Sequence, residues 1–127
     1  MKDELWKGEG KKEDLRIRTK EFALKVIRTY SALPKSTEAR VLGKQVLRSG
    51  TSVGANNREA SRSRSKLGFI SKIGDCLKEL DETAYWLELP AESSIVPNER
   101  VAHLRDECDQ LLAIFTAISK KAKANAS

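Results

Sequence analysis

The 127 residues carry 24 Lys and Arg against 18 Asp and Glu, a net charge of +6, and 39% of them are hydrophobic. Such a chain fits one domain that buries roughly two thirds of its unfolded surface, and no run approaches the ~18 apolar residues of a membrane span. Cys76 and Cys108 are too few for a disulfide scaffold and lack the C-x-x-C spacing of a redox or zinc motif; both fall at apolar helical positions and read as buried free thiols. The first residues, MKDELWKGEGKKED, lack the apolar core of a secretory signal, so the expected location is the cytoplasm.

Residues 1–13 are polar, contain Gly8 and Gly10 and show no periodicity, which predicts a disordered tail. Trp6 within it is expected to dock loosely, stay solvated, or pack on a neighbouring subunit. A first helix is expected over about residues 14–33. There Phe22, Val26 and Leu33 line up with Leu24, Ile27 and Tyr30 as one broad apolar face that Ile17 extends. Arg16, Arg18, Lys20, Lys25 and Arg28 fill the other side. Pro34 ends the helix because the residue before a proline is driven out of the α region, and Ser36 or Thr37 can cap the next helix.

The second helix is expected over residues 38–60. Leu42, Val46, Ser49, Val53, Asn56 and Ala60 keep the alternating three-and-four spacing of a heptad seam, aliphatic at first and then small and polar. Gly50 and Gly54 each cost ~1 kcal/mol against alanine inside a helix. The expected offset is close approach of another helix, and the alternative is a break near Gly50.

The third helix is expected over residues 66–89, with Ile70, Ile73, Leu77, Leu80, Ala84 and Leu87 in heptad spacing, flanked by Phe69 and Cys76, and with Pro90 as its stop. The segment PAESSIVPN reads as a surface loop, with Asn98 as the next N-cap. The fourth helix is expected over residues 99–121, where Val101, Leu104, Cys108, Leu111, Phe115 and Ile118 repeat the pattern. Lys120, Lys121 and Lys123 suit the negative end of its dipole, and residues 122–127 are expected to fray. Four such helices with short loops predict an all-α, antiparallel up-down-up-down four-helix bundle.

Catalytic patterns are absent. His103 is the only histidine, so paired Glu-x-x-His metal motifs cannot form. No H-E-x-x-H, phosphate loop or nucleophile elbow is present. His103 reads as a solvated or capping residue. Asp75, Glu79 and Glu82 share one face of the third helix, and a salt-bridged or solvated face is the favoured reading, including pairing of Glu79 across a subunit contact. No enzyme activity, cofactor, metal or small-molecule substrate is expected.

Charge is the functional signal. Residues 35–72 hold nine Lys and Arg against two acids, whereas residues 73–127 hold six against ten. Lys44, Arg48, Arg58 and Arg62 share roughly one face of the second helix, and Arg64 and Lys66 follow in the SRSRSK turn. Arginine forks match phosphate oxygens two at a time, so this set reads as a sequence-blind nucleic-acid contact. Ser61, Ser63 and Ser65 add phosphate contacts or cap the third helix. No aromatic residue sits in the cluster for base stacking, and a plain solvated basic face is the competing reading. Tyr85 and Trp86 are adjacent, so one is expected inside and one against a partner subunit; a monomer with Trp86 partly exposed is the alternative.

Residues Gln45, Arg48, Ser52, Asn56 and Glu59, the pairs Phe69-Ile70 and Glu79-Leu80, the run DETAYWLEL and Leu33-Pro34 together resemble the four-helix-bundle family of 23S rRNA intervening-sequence proteins. Asn57-Arg58 departs from the family's usual apolar residue and alanine, and the last loop has two prolines here. The resemblance implies a non-enzymatic homo-oligomer, a ring-like pentamer, acting as an RNA or nucleic-acid accessory. Related bundles accompany the reverse transcriptases of diversity-generating retroelements and bind nucleic acid. Gly50, Gly54, Asn56, Glu59, Glu79 and Trp86 are the expected packing or oligomer positions.

Overall fold

The computed structural model describes residues 12–125; the expected tail up to residue 11, Trp6 and the last two residues lie outside them. Four helices, α1 (Lys12–Ser31), α2 (Thr37–Ser61), α3 (Lys66–Glu92) and α4 (Asn98–Ala124), form the antiparallel bundle, with no strand among the described residues. Each packs on the next in chain order. The α2–α3 interface is the most extensive, and the α1–α4 seam that closes the bundle is the thinnest.

Local chemistry explains most of the boundaries. Leu33 precedes Pro34, and α1 stops at Ser31 rather than Leu33 because its last turn tightens: the Ala32 amide is shared between Arg28 and Thr29 carbonyls at 3.2 and 3.1 Å. Ser36 caps α2 and Ser65 caps α3, their hydroxyls accepting from Ala39 and Gly68 amides at 3.2 and 3.0 Å. Pro90 does not stop α3. It is buried in the last turn, where its missing N–H forfeits only one ladder bond. The stop comes at Ser93, followed by Ser94 in the left-handed region (φ 62°). The Ile95 amide then reaches back to Pro90 O at 3.0 Å and the Ser94 amide to Ala91 O at 3.3 Å, the paired bonds of a Schellman end made without glycine. Asn98 begins α4 rather than capping it; Pro97 takes the cap position, with no side-chain bond. The helix then runs on to Ala124, past the expected frayed start at residue 122.

The core lies between all four helices, centred on Phe22, Val26, Val53, Ile73, Leu80, Leu111 and Phe115. Three sequence patterns shift. In α1 the buried set is Leu15, Thr19, Phe22 and Val26, while Ile17, Leu24 and Ile27 are 40–55% exposed, because a single helix face cannot turn both sets inward. In α2 the buried line runs Val46, Gly50, Val53, Asn57, Ala60. It keeps the four-and-three spacing of a heptad but takes Gly50 and Asn57 where the expected seam takes Ser49 and Asn56; Ser49 is buried beside it, while Leu42 and Asn56 are only partly buried. In α3 the buried line runs Phe69, Ile73, Cys76, Leu80, Thr83 and Leu87, while Ile70, Leu77 and Ala84 of the expected seam are only partly buried.

Gly50 lies in the α1–α2 contact, where an added Cβ would sit 2.8 Å from Val26 Cγ2. On the opposite flank of α2, Thr83 donates to the Ser49 hydroxyl at 2.8 Å within the buried α2–α3 interface. Both cysteines are free and buried. Their thiols donate to Val53 and Leu80 carbonyls at 3.7 and 3.3 Å, and burial pushes each up to about 12, so they remain protonated and pack as small apolar groups.

Candidate nucleic-acid interface

The α2–α3 turn lies at the end of the bundle where α4 finishes. Lys66 Nζ donates to the Asn125 carbonyl, which ties the turn to the end of α4. The exposed Arg62 and Arg64, half-buried Arg58, and the exposed Lys120, Lys121 and Lys123 therefore share one end of the molecule. The last carbonyls of α2 and α4 also point there, so the cations offset two negative helix ends. Ser61 and Ser63 hydroxyls donate to Arg58 and Glu59 carbonyls at 2.9 and 3.2 Å, which secures the exit of α2 where the basic turn begins.

The candidates chosen from sequence thus separate into three groups. Arg58, Arg62, Arg64 and Lys66 come together. Lys44 is exposed but lies about 27 Å from Arg62 along α2, at 1.5 Å per residue. Arg48 is engaged elsewhere: its Nη2 and Nη1 donate to Glu82 and Glu79 at 2.6 and 3.4 Å, and its Nε to Gln45 Oε1 at 3.2 Å. The Glu82 hydrogen bond, with Glu79 beside it, raises the Arg48 pKa. This clasp joins α2 to α3 within one chain. In the sequence alone, Lys120, Lys121 and Lys123 read only as dipole partners. What places them beside the basic turn is the up-down topology itself, which returns the end of α4 to the α2–α3 turn.

The remaining candidates sit in helix contacts. Glu59 pairs with Lys72 at 2.6 Å, and that contact raises the Lys72 pKa. Gly54 faces Thr19 of α1, with Oγ1 3.4 Å from an added Cβ. Trp86 packs against the core with its indole N–H buried and without a partner. Tyr85 turns outward at 53% exposure, its ring edge-on to Trp86 at 5.1 Å between centroids. His103 is exposed, 3.0 Å from Lys25 Nζ. Among the described residues no cluster of His, Cys, Asp and Glu could hold a metal ion, and no helix is long and apolar enough to cross a membrane.

Residues 12–117 match the 23S rRNA-intervening sequence protein family. No curated protein matches the chain. Among solved structures it is similar to a Bacteroides thetaiotaomicron protein of unknown function from the S23 ribosomal protein family, with 34% sequence identity and a TM-score of 0.80, over 87% of this chain and 98% of that one.

Proposed function

The chain belongs to the 23S rRNA-intervening sequence protein family, and from that premise we propose that it is a non-enzymatic, oligomeric accessory protein that binds RNA or another nucleic acid through the basic end of its bundle. The observation that carries this reading is the meeting of the α2–α3 turn with the end of α4. Among the described residues Arg58, Arg62, Arg64, Lys120, Lys121 and Lys123 form no ion pair with a carboxylate, so their charge is available to a polyanion. Long side chains on two helix ends follow a phosphate backbone and carry no pattern of donors for reading base edges. An oligomer would multiply this weak contact by holding several such ends together.

Binding to generic RNA, measured against salt concentration, tests the reading. Wild-type protein should lose affinity linearly in log–log form, and Arg58→Ala/Arg62→Ala/Arg64→Ala should flatten that slope by about 2 to 3, near 0.7–0.9 per cation removed. Equal weak binding of both proteins at low salt would end the nucleic-acid reading. A second reading, a protein-assembly module with no nucleic-acid role, draws on the exposed Ile17, Leu24 and Ile27 of α1; it predicts self-association with no RNA binding at any salt.

A further inference from the structure

At the opposite end of the bundle, an open cleft of about 310 Å³ lies between the last turn of α1 and the first two turns of α2. Tyr30 and Leu33 line it and also cover a small apolar cavity beneath. Gly43 allows this seating, since a Cβ there would fall 2.9 Å from Tyr30 Cδ1 and 2.6 Å from Leu33 Cδ1. The other wall is cationic: Lys35, Arg40 and Lys44 line the cleft and no carboxylate does. None of the three is ion-paired among the described residues. The positive end of the α2 dipole opens beside them.

One wall is aromatic and apolar and the other carries three unpaired cations, which is the chemistry of a base joined to a phosphate. We propose that this cleft binds a nucleotide through its phosphate, on Lys35, Arg40 and Lys44, with the base against Tyr30. The phosphate monoester belongs either to a free mononucleotide or to the 5′ end of a strand. Arg40 is about 33 Å along α2 from Arg62, so the cleft is separate from the basic end. Arginine supplies the forked contact and the lysines supply charge.

The test is an NMR titration of isotope-labelled full chain with AMP, adenosine, inorganic phosphate, and a short oligoribonucleotide with and without a 5′-phosphate. AMP should shift amides between residues 30 and 44 and bind more tightly than adenosine or inorganic phosphate. Arg40→Ala/Lys44→Ala, both at exposed positions, should weaken AMP binding about tenfold or more while leaving the circular dichroism spectrum intact. Arg62→Ala/Arg64→Ala should leave AMP affinity within about twofold, because the sites are far apart. That arm separates failure here from failure of the RNA interface. In the Arg62→Ala/Arg64→Ala background, preference for the 5′-phosphorylated strand assigns a strand end, and indifference with AMP still bound assigns a free nucleotide. No response to millimolar AMP, shifts confined to residues 58–66, or AMP binding unchanged in Arg40→Ala/Lys44→Ala overturns the proposal.

Discussion

Gly50 and Gly74 are both helical, yet the same substitution should act on them in opposite directions. Alanine at Gly50 places a Cβ 2.8 Å from a methyl of Val26. Val26 is β-branched and rotationally stiff inside α1, so relief requires the helices to part. Overpacking of that kind costs about 1–3 kcal/mol against a helix-propensity gain of ~1 kcal/mol. At Gly74 nothing lies within 4 Å of the new methyl, and only the propensity gain remains. Thermal unfolding at matched protein concentration should show Gly74→Ala melting higher by roughly 2–8 °C and Gly50→Ala melting lower than wild type. Equal melting temperatures for the two variants would mean that α1 shifts freely to accept the methyl.

Between elements, the thin α1–α4 seam depends on polar contacts more than the other interfaces do. Arg18 Nε and Nη2 donate to the two Glu107 oxygens at 2.9 and 3.2 Å, and Nη2 also donates to Gln110 Oε1 at 2.6 Å. The Arg18 hydrogen bond lowers the Glu107 pKa from 4.5, despite burial acting the other way. A carboxylate whose folded value is depressed stabilises the fold above its unfolded value and loses that contribution as pH falls through the folded one. Glu107→Gln should therefore be less stable than wild type by about 0.5–1 kcal/mol at neutral pH. Urea titrations should show the gap closing on acidification, and a gap independent of pH would assign the loss to packing alone. This pairing spans 89 residues and leaves no mark in the sequence, where Arg18 and Glu107 are two charges among many. The repeat of α4 is legible because Val101, Leu104, Cys108, Leu111 and Phe115 are all apolar at helical spacing and all buried. In α3, by contrast, the apolar Ile70, Leu77 and Ala84 yield the buried line to Phe69, Cys76 and Thr83. In α1 the same logic overreaches, since Ile17, Leu24 and Ile27 fit the apolar pattern and face solvent.

For the whole molecule, the basic turn is legible as a run of letters, but its reach is not. Lys120, Lys121 and Lys123 join it only once the topology is closed, and Arg48 leaves the set once Glu79 and Glu82 are found beside it. The fold class needs nothing beyond periodicity and prolines, whereas the candidate site needs distances between residues far apart in the chain. Self-association belongs at this scale. Light scattering should give a mass several times the 14.2 kDa of one chain, and Leu24→Glu, which places charge on the exposed side of α1, should lower it. A monomeric mass for the wild type at all concentrations would remove the ring. It would also remove the gain in binding expected from gathering several basic ends.

The uneven closure of the bundle sets the order in which it can assemble and come apart. The α2–α3 clasp joins residues 31 and 34 apart, so its loop is quick to close, and its interface is the largest. The α1–α4 contacts wait for nearly the whole chain and bury little in return. Of the two terminal helices α1 buries fewer apolar side chains than α4, so lifting α1 is the cheaper partial opening, uncovering Thr19, Phe22 and Val26 while the capped turn at Ser65 stays formed. A chain loosened in this way keeps its clustered arginines presented, so the nucleic-acid contact proposed for them would outlast the integrity of the core.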